Sequence, residues 1–143
     1  MTGLVLDTNV VSEMRRLQPD RNVLAFIDAQ PLESLFISTV TLAELRFGIE
    51  RVGDAALREQ LAGWLAHRVR PMFGQRVLPV SEDVLLRWRN MVDEGRRSGI
   101  TFPQPDLFIA ATASLHGMTV VTRDASGFAR TRVPVINPWE PQS

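Results

Sequence analysis

The chain contains neither cysteine nor lysine. The first absence excludes disulfides, thiolate metal sites and cysteine nucleophiles. The second excludes a Schiff-base lysine and a phosphate-loop lysine. No run of about 18 apolar residues occurs, so no membrane-spanning helix is expected. No basic segment precedes the first apolar run, so no secretory leader is predicted and the expected compartment is the cytoplasm. Net charge is also lacking: 16 arginines balance 16 acids. Overall charge therefore says nothing about a nucleic-acid partner, although acids gathered in one pocket would leave the remaining surface basic. The length of 143 residues predicts one domain spanning residues 1–143, able to bury roughly two-thirds of its unfolded surface.

What is present is organised around Leu4-Val5-Leu6-Asp7-Thr8-Asn9. A short apolar run ends in a carboxylate, a hydroxyl and an amide. In open α/β sheets ligands bind beyond the carboxyl ends of the strands, so a buried strand ending in Asp delivers a charge to that crevice. Asp7 or Thr8 caps a short following helix. Pro19 breaks it, and residues 20–29 read as a second helix with Val23, Phe26 and Ile27 inward. Residues 35–38 form a second strand. From 40 to 52 the period becomes helical, with Val40, Ala43 and Phe47 on one line and Leu42, Leu45 and Ile49 beside it. Residues 55–73 give the longest helical pattern, with Leu57, Leu61, Trp64, Leu65 and Met72 as its apolar stripe and a kink or early end at Pro71.

Residues 77–80 read as a strand that Pro79 confines to an edge or an end. Ser81 caps a helix carrying Val84, Leu85, Trp88, Met91 and Val92 inward and stopping at Gly95 or Gly99. Residues 102–105 make a rigid connector. A small-residue helix from 106 to 116 is closed by Gly117. Residues 119–122 and 133–136 complete the strands. Strands alternate with helices, which predicts a three-layer α/β/α domain with a short, mostly parallel sheet of four or five strands. Helical stripes usually face inward, so those of 55–73 and 81–95 are assigned to the core, with a projecting clip carrying Trp64 and Trp88 as the alternative.

Four acids stand out, and each alone has a structural explanation. Asp7 can be a helix cap. Thr41-Leu42-Ala43-Glu44 matches a capping box. Asp106 follows Pro105 at a helix start, where an acid suits the dipole. Asp124 can be a turn residue. Together they weigh differently: Asp7 and Asp124 end strands, and Glu44 and Asp106 sit in the first turns of helices, so all four reach one rim of one sheet. Glu44 among Val40, Phe47 and Gly48 is costly on a core-facing side unless paired or metal-bound. Hard oxygen donors without Cys or clustered His favour Mg²⁺ or Mn²⁺ over Zn²⁺. Such a cation suits phosphodiester hydrolysis. His67 and His116 assemble no triad and are assigned to the surface or helix ends.

At these residues the sequence resembles the PIN-domain ribonucleases, and among them toxins of VapC/FitB-type toxin–antitoxin pairs. The resemblance rests on residues 4–9, 38–48 and 105–113, on Val121-Thr122-Arg123-Asp124, on Phe128 and on the terminal Asn137-Pro138-Trp139. It implies a metal-dependent endoribonuclease that cleaves RNA through metal-activated water and is inhibited by a small cognate antitoxin. It further implies a homodimer, a toxin–antitoxin hetero-oligomer and DNA binding only through the antitoxin. Carried over, Asp7, Glu44, Asp106 and Asp124 are the catalytic and metal-binding acids, and Thr8, Asn9 and Thr122 the accompanying polar positions. The expected cofactor is Mg²⁺, with Mn²⁺ able to substitute. One departure is visible. Gly127 stands before Phe128 where related sequences often carry a further acid, so the fourth acid is Asp124 or nothing. One tightly held ion is expected, with a second only when RNA supplies phosphate oxygens. A haloacid-dehalogenase-type phosphatase needs an Asp where this chain has Asn9, and a lysine that it lacks. A catalytically inactive PIN-fold binding module is the remaining alternative.

Overall fold

The computed structural model describes residues 3–142. Its centre is β1 (Leu4–Leu6), every residue of which is buried. On one side β1 pairs with β2 (Leu35–Ser38), and β2 with β3 (Val77–Leu78); on the other it pairs with β4 (Thr119–Val121), and β4 with β5 (Val135–Ile136). All pairings are parallel and the order is β3-β2-β1-β4-β5. Pro79 thus follows an edge strand, where a missing N–H costs nothing. The chain winds outward through β2 and β3, then crosses to the other side for β4 and β5. The reversal falls between β1 and β4, and the crevice beyond their carboxyl ends is the switch point at which such sheets bind ligands.

Side-chain alternation along β1 divides the core. Leu4 and Leu6 face one layer, with Val10, Val23, Phe26, Leu42, Leu65 and Phe73. Val5 faces the other, with Ile109, Ala110, Ala113, Val120 and Phe128. The first layer is built by α1 (Thr8–Glu13), α2 (Arg21–Asp28), α3 (Thr39–Glu50) and the chain from α4 (Ala55–Trp64) through a π-helical turn at Leu65–Val69 to α5 (Arg70–Phe73). The second is built by α7 (Gln104–His116), which packs against α6 (Glu82–Arg97), and by α8 (Ala125–Ala129). The expected three-layer α/β/α fold is the one observed. No helix among the described residues is long and apolar enough to cross a membrane.

Several local expectations are corrected. Helix α3 is capped by Ser38, whose Oγ accepts from the Val40 N–H at 3.0 Å. Thr41 is therefore an interior, buried helix residue, and no Thr41–Glu44 capping box forms. The inward line is Thr41, Leu42 and Leu45; Phe47 is 56% exposed beneath the Arg51 guanidinium. Glu44 is half-buried and does not lie on a core-facing side, because Ala43 and Phe47 beside it face solvent. In the 55–73 stretch, Leu65 of the expected stripe is buried and Trp64 and Met72 pack against the core, but α4 fully buries no residue, Leu57 is exposed, and Val69 and Phe73 join the core. The π turn widens the helix and re-phases its apolar side, which a uniform 3.6-residue period does not capture. Helix α6 buries only Val84 and Gly95, while Leu85 is exposed. Trp88 stacks on Phe108 at 4.9 Å. Helix α7 begins at Gln104, two residues before the expected start, with Pro105 in its first turn, where a missing N–H is harmless.

Candidate active site

Asp7 is delivered by the end of β1 and is the N-cap of α1. Its Oδ1 accepts from the Thr8 N–H at 2.8 Å. Its Oδ2 accepts from the Thr122 hydroxyl at 2.7 Å and from Asn9 Nδ2 at 3.3 Å. Three of the roughly four acceptor positions of the carboxylate are thereby filled, which fixes its orientation. Thr122, at the end of β4, is wholly buried. Its oxygen also receives the Asp124 N–H at 3.0 Å, and Asn9 Oδ1 receives the Arg123 N–H at 3.2 Å. The two neighbouring strand ends are therefore stitched together by the polar residues singled out in the sequence. Thr8 reaches across to Thr41, oxygen to oxygen at 3.5 Å, tying α1 to α3.

Asp7, Glu44 and Asp106 line one open cleft of about 560 Å³, together with Thr8 and Asn9. Glu44 comes from the second turn of α3 and Asp106 from the first turn of α7. Asp124 does not line the cleft. It is exposed and caps α8, its Oδ1 accepting from the Gly127 N–H at 3.4 Å. Its charge is nevertheless felt at the site. Burial pushes the Asp106 carboxyl up to about 6, and the charges of Asp7, Asp124 and Glu44 push the same way. Burial also raises Asp7, against the opposing hydrogen bonds from Thr122 and Thr8, with Asp124 and Glu44 again raising it.

No arginine forms an ion pair with any of the four acids among the described residues. Mutual repulsion with no arginine ion-paired to these acids among the described residues is what a hard cation relieves, and a set of carboxylate donors fits one. Among the described residues no three acids or histidines stand close enough to form a closed ligand set. The fit is accordingly to an ion that keeps several waters, as Mg²⁺ does when held by one or two carboxylates.

Glycine at 127 has a physical reason. A Cβ there would lie 2.6 Å from Asp124 Oδ2, so the Asp124 carboxylate occupies the space a side chain would need. Gly127→Asp is expected to drive that carboxylate off the α8 cap and to lower stability by about 1 kcal/mol, the usual worth of an N-cap. Urea unfolding checks this. Unchanged stability would show that the Asp124–Gly127 contact contributes nothing.

Sequence reasoning missed a fifth acid. Glu13 lies at the end of α1, is buried and lines the cleft. The available signal was its spacing three residues after Val10, which puts a charged residue on the buried stripe. It also left the cleft-lining arginines unassigned; these are Arg15, Arg16 and Arg123.

Comparison with known proteins places the chain in a family. The chain is 43% identical over 138 residues to the VapC ribonuclease Y4jK of Sinorhizobium fredii, covering 96% of this chain and 99% of that protein. It is 37% identical over 136 residues to the toxin FitB of Neisseria gonorrhoeae, covering 95% and 98%. The structure superposes on that of FitAB bound to an IR36 DNA fragment with a TM-score of 0.91 at 35% identity, over 98% of each chain. The family model of the PIN domain matches residues 4–134, and the chain belongs to the PIN-domain family.

Proposed function

We propose that this protein is a Mg²⁺- or Mn²⁺-dependent endoribonuclease and the toxin of a toxin–antitoxin pair, acting in the cytoplasm. One observation carries the reading: carboxylates from β1, α3 and α7 meet in a cleft at the sheet's switch point, with Asp106 raised to about 6 and no cationic side chain paired to them among the described residues. The names of the relatives, ribonuclease and toxin, point the same way. Asp7, Glu44 and Asp106 would hold the cation between them, in part through its waters, with Asp124 contributing charge from just outside the cleft. A cation held there would supply a water nucleophilic at neutral pH and charge stabilisation for the phosphodiester.

The chain's own residues do the rest. Asn9 and the Thr122 hydroxyl fix the Asp7 carboxylate, and Thr8 joins α1 to α3 so that Asp7 and Glu44 keep their spacing. The same reading includes a homodimer, a small antitoxin that blocks the cleft, and DNA binding by the pair through that antitoxin. FitAB, which includes the relative FitB, is itself found bound to DNA.

The test uses the purified chain and a mixed pool of structured and single-stranded RNA, with Mg²⁺, with Mn²⁺ and with EDTA. Cleavage that requires metal and is lost in Asp106→Asn is the expected result. A folded protein that cuts nothing under any condition would favour the inactive binding module, a reading to which the open spacing of the acids lends some support.

A further inference from the structure

The cleft carries side chains of both signs. Glu44 and Asp106 line it from α3 and α7; Arg15, Arg16 and Arg123 line it from the loop after α1 and from the end of β4, with Trp139. We propose that this arginine arc is the track for the phosphates of single-stranded RNA, and that Glu13 is the positioning residue that fixes its Arg16. The proposal rests on the ribonuclease reading and adds where the strand lies.

Arg15 and Arg16 sit in the 14–20 loop between α1 and α2. Glu13 fastens that loop at both ends. Its Oε2 accepts from the Asp20 N–H at 2.8 Å, and its Oε1 from Arg16 Nη1 at 3.3 Å. Asp20 in turn caps α2. A buried carboxylate is costly unless it is paired and hydrogen-bonded, and here both partners belong to the one loop. The Arg16 side chain nevertheless stays 60% exposed, so most of its five donors remain available to a ligand.

Arg123 is held by different means. Its N–H is tied to Asn9, and its guanidinium lies 5.0 Å from the centre of the Trp139 ring. Trp139 is anchored through its carbonyl, which accepts from Asn22 Nδ2 at 2.9 Å. Neither Arg15 nor Arg123 forms an ion pair with a carboxylate among the described residues. Guanidinium groups match phosphate oxygens in bidentate fashion, and an arginine stacked on an indole also offers a π face to a base. That second feature favours RNA over an acidic protein segment.

The test is the salt dependence of binding, read by fluorescence anisotropy with labelled single-stranded RNA 12-mers of random sequence. An Asp7→Asn background in EDTA keeps the RNA intact, and melting curves confirm folding. Each phosphate contact to a single strand contributes about 0.7 to the slope of log affinity against log salt. Arg16→Ala and Arg123→Ala are each expected to lower the slope by about 0.7. Arg97→Ala, on α6 and paired with Asp93, is expected to leave it unchanged. Glu13→Gln keeps an acceptor for Asp20 but loses the ionic hold on Arg16; it is expected to weaken binding in the Arg16 background no further than Arg16→Ala alone. Should Glu13→Gln fail to fold, the arginine variants still decide. Unchanged slopes in a protein that binds RNA, and that cleaves it when Asp7 is retained, would overturn the track, leave the ribonuclease reading intact and assign the arc to an acidic protein segment. No RNA binding by any form would overturn both.

Discussion

Asp7→Asn is expected to slow RNA cleavage by about 10²–10³-fold while the protein stays folded and gains stability in the absence of metal. The magnitude follows from the several kcal/mol that a correctly held cation contributes to charge stabilisation, at about 1.4 kcal/mol per factor of ten. The substitution is nearly isosteric. The carbonyl of the introduced side chain can still accept from the Thr8 N–H, and the new amide can donate to the Thr122 oxygen in place of Asn9 Nδ2, at the cost of the bond the Thr122 hydroxyl now donates. The contact with Asn9 Nδ2 is also lost, because two donors would then face each other. Against these losses stands the removal of a buried charge, whose carboxyl burial and the charges of Asp124 and Glu44 already hold above its usual range. Single-turnover cleavage and a melting curve in EDTA at neutral pH check both halves. Cleavage within about tenfold of the unmodified chain, or roughly 1.4 kcal/mol of barrier, would remove Asp7 from the reaction. A large fall in melting temperature would instead make it a structural cap, the role it also fills at α1.

That double role explains what the sequence can and cannot disclose. Strands β1 and β2 are legible because each is a short apolar run ended by polar residues, the pattern expected of buried parallel strands. The order of the acids along the chain is legible for the same reason: strand ends and first helical turns of an α/β unit share one rim. What stays hidden depends on a single residue's choice between two local roles. Ser38 takes the cap of α3, which moves Thr41 inside and leaves Phe47 outside. Spacing alone cannot tell Ser38 from Thr41 as the cap, since both precede an apolar helical run. Asp124 illustrates the same limit. It ends a strand, as expected, and its charge reaches Asp7 and Asp106, but its carboxylate also caps α8 through the Gly127 N–H. In the sequence, glycine at 127 stands as a missing acid; in the structure it is the space into which the preceding acid folds. Glu13 is only partly legible: its spacing after Val10 puts it on the buried stripe, but its partner is a backbone N–H seven residues away, a bond no side-chain pattern records.

The pH dependence should be steep, and its two signs are separable. Metal binding needs deprotonated carboxylates. With the Asp106 carboxyl at about 6 in the metal-free protein, affinity for Mg²⁺ or Mn²⁺ is expected to fall about tenfold for each pH unit below that value, and cleavage at subsaturating metal should fall with it. Asp7, raised by burial and by the same acidic neighbours, steepens the loss. Stability without metal runs the other way. Asp106 rises from an ordinary value of 3.8 to about 6 on folding, so between those values the folded state binds more protons than the unfolded state. Stability then decreases as pH rises through the window, and the full penalty is present above it. A bound cation offsets the penalty, so the gain in melting temperature on adding Mg²⁺ should be large at about pH 7.5 and small at about pH 5. Asp106→Asn should abolish most of that difference, because the substitution removes the titrating group while leaving its helix start intact. Calorimetric metal titrations and melting curves at the two pH values give both readings from one preparation. A metal-induced stabilisation of equal size under the two conditions would mean that the ion is held by acids outside this cleft.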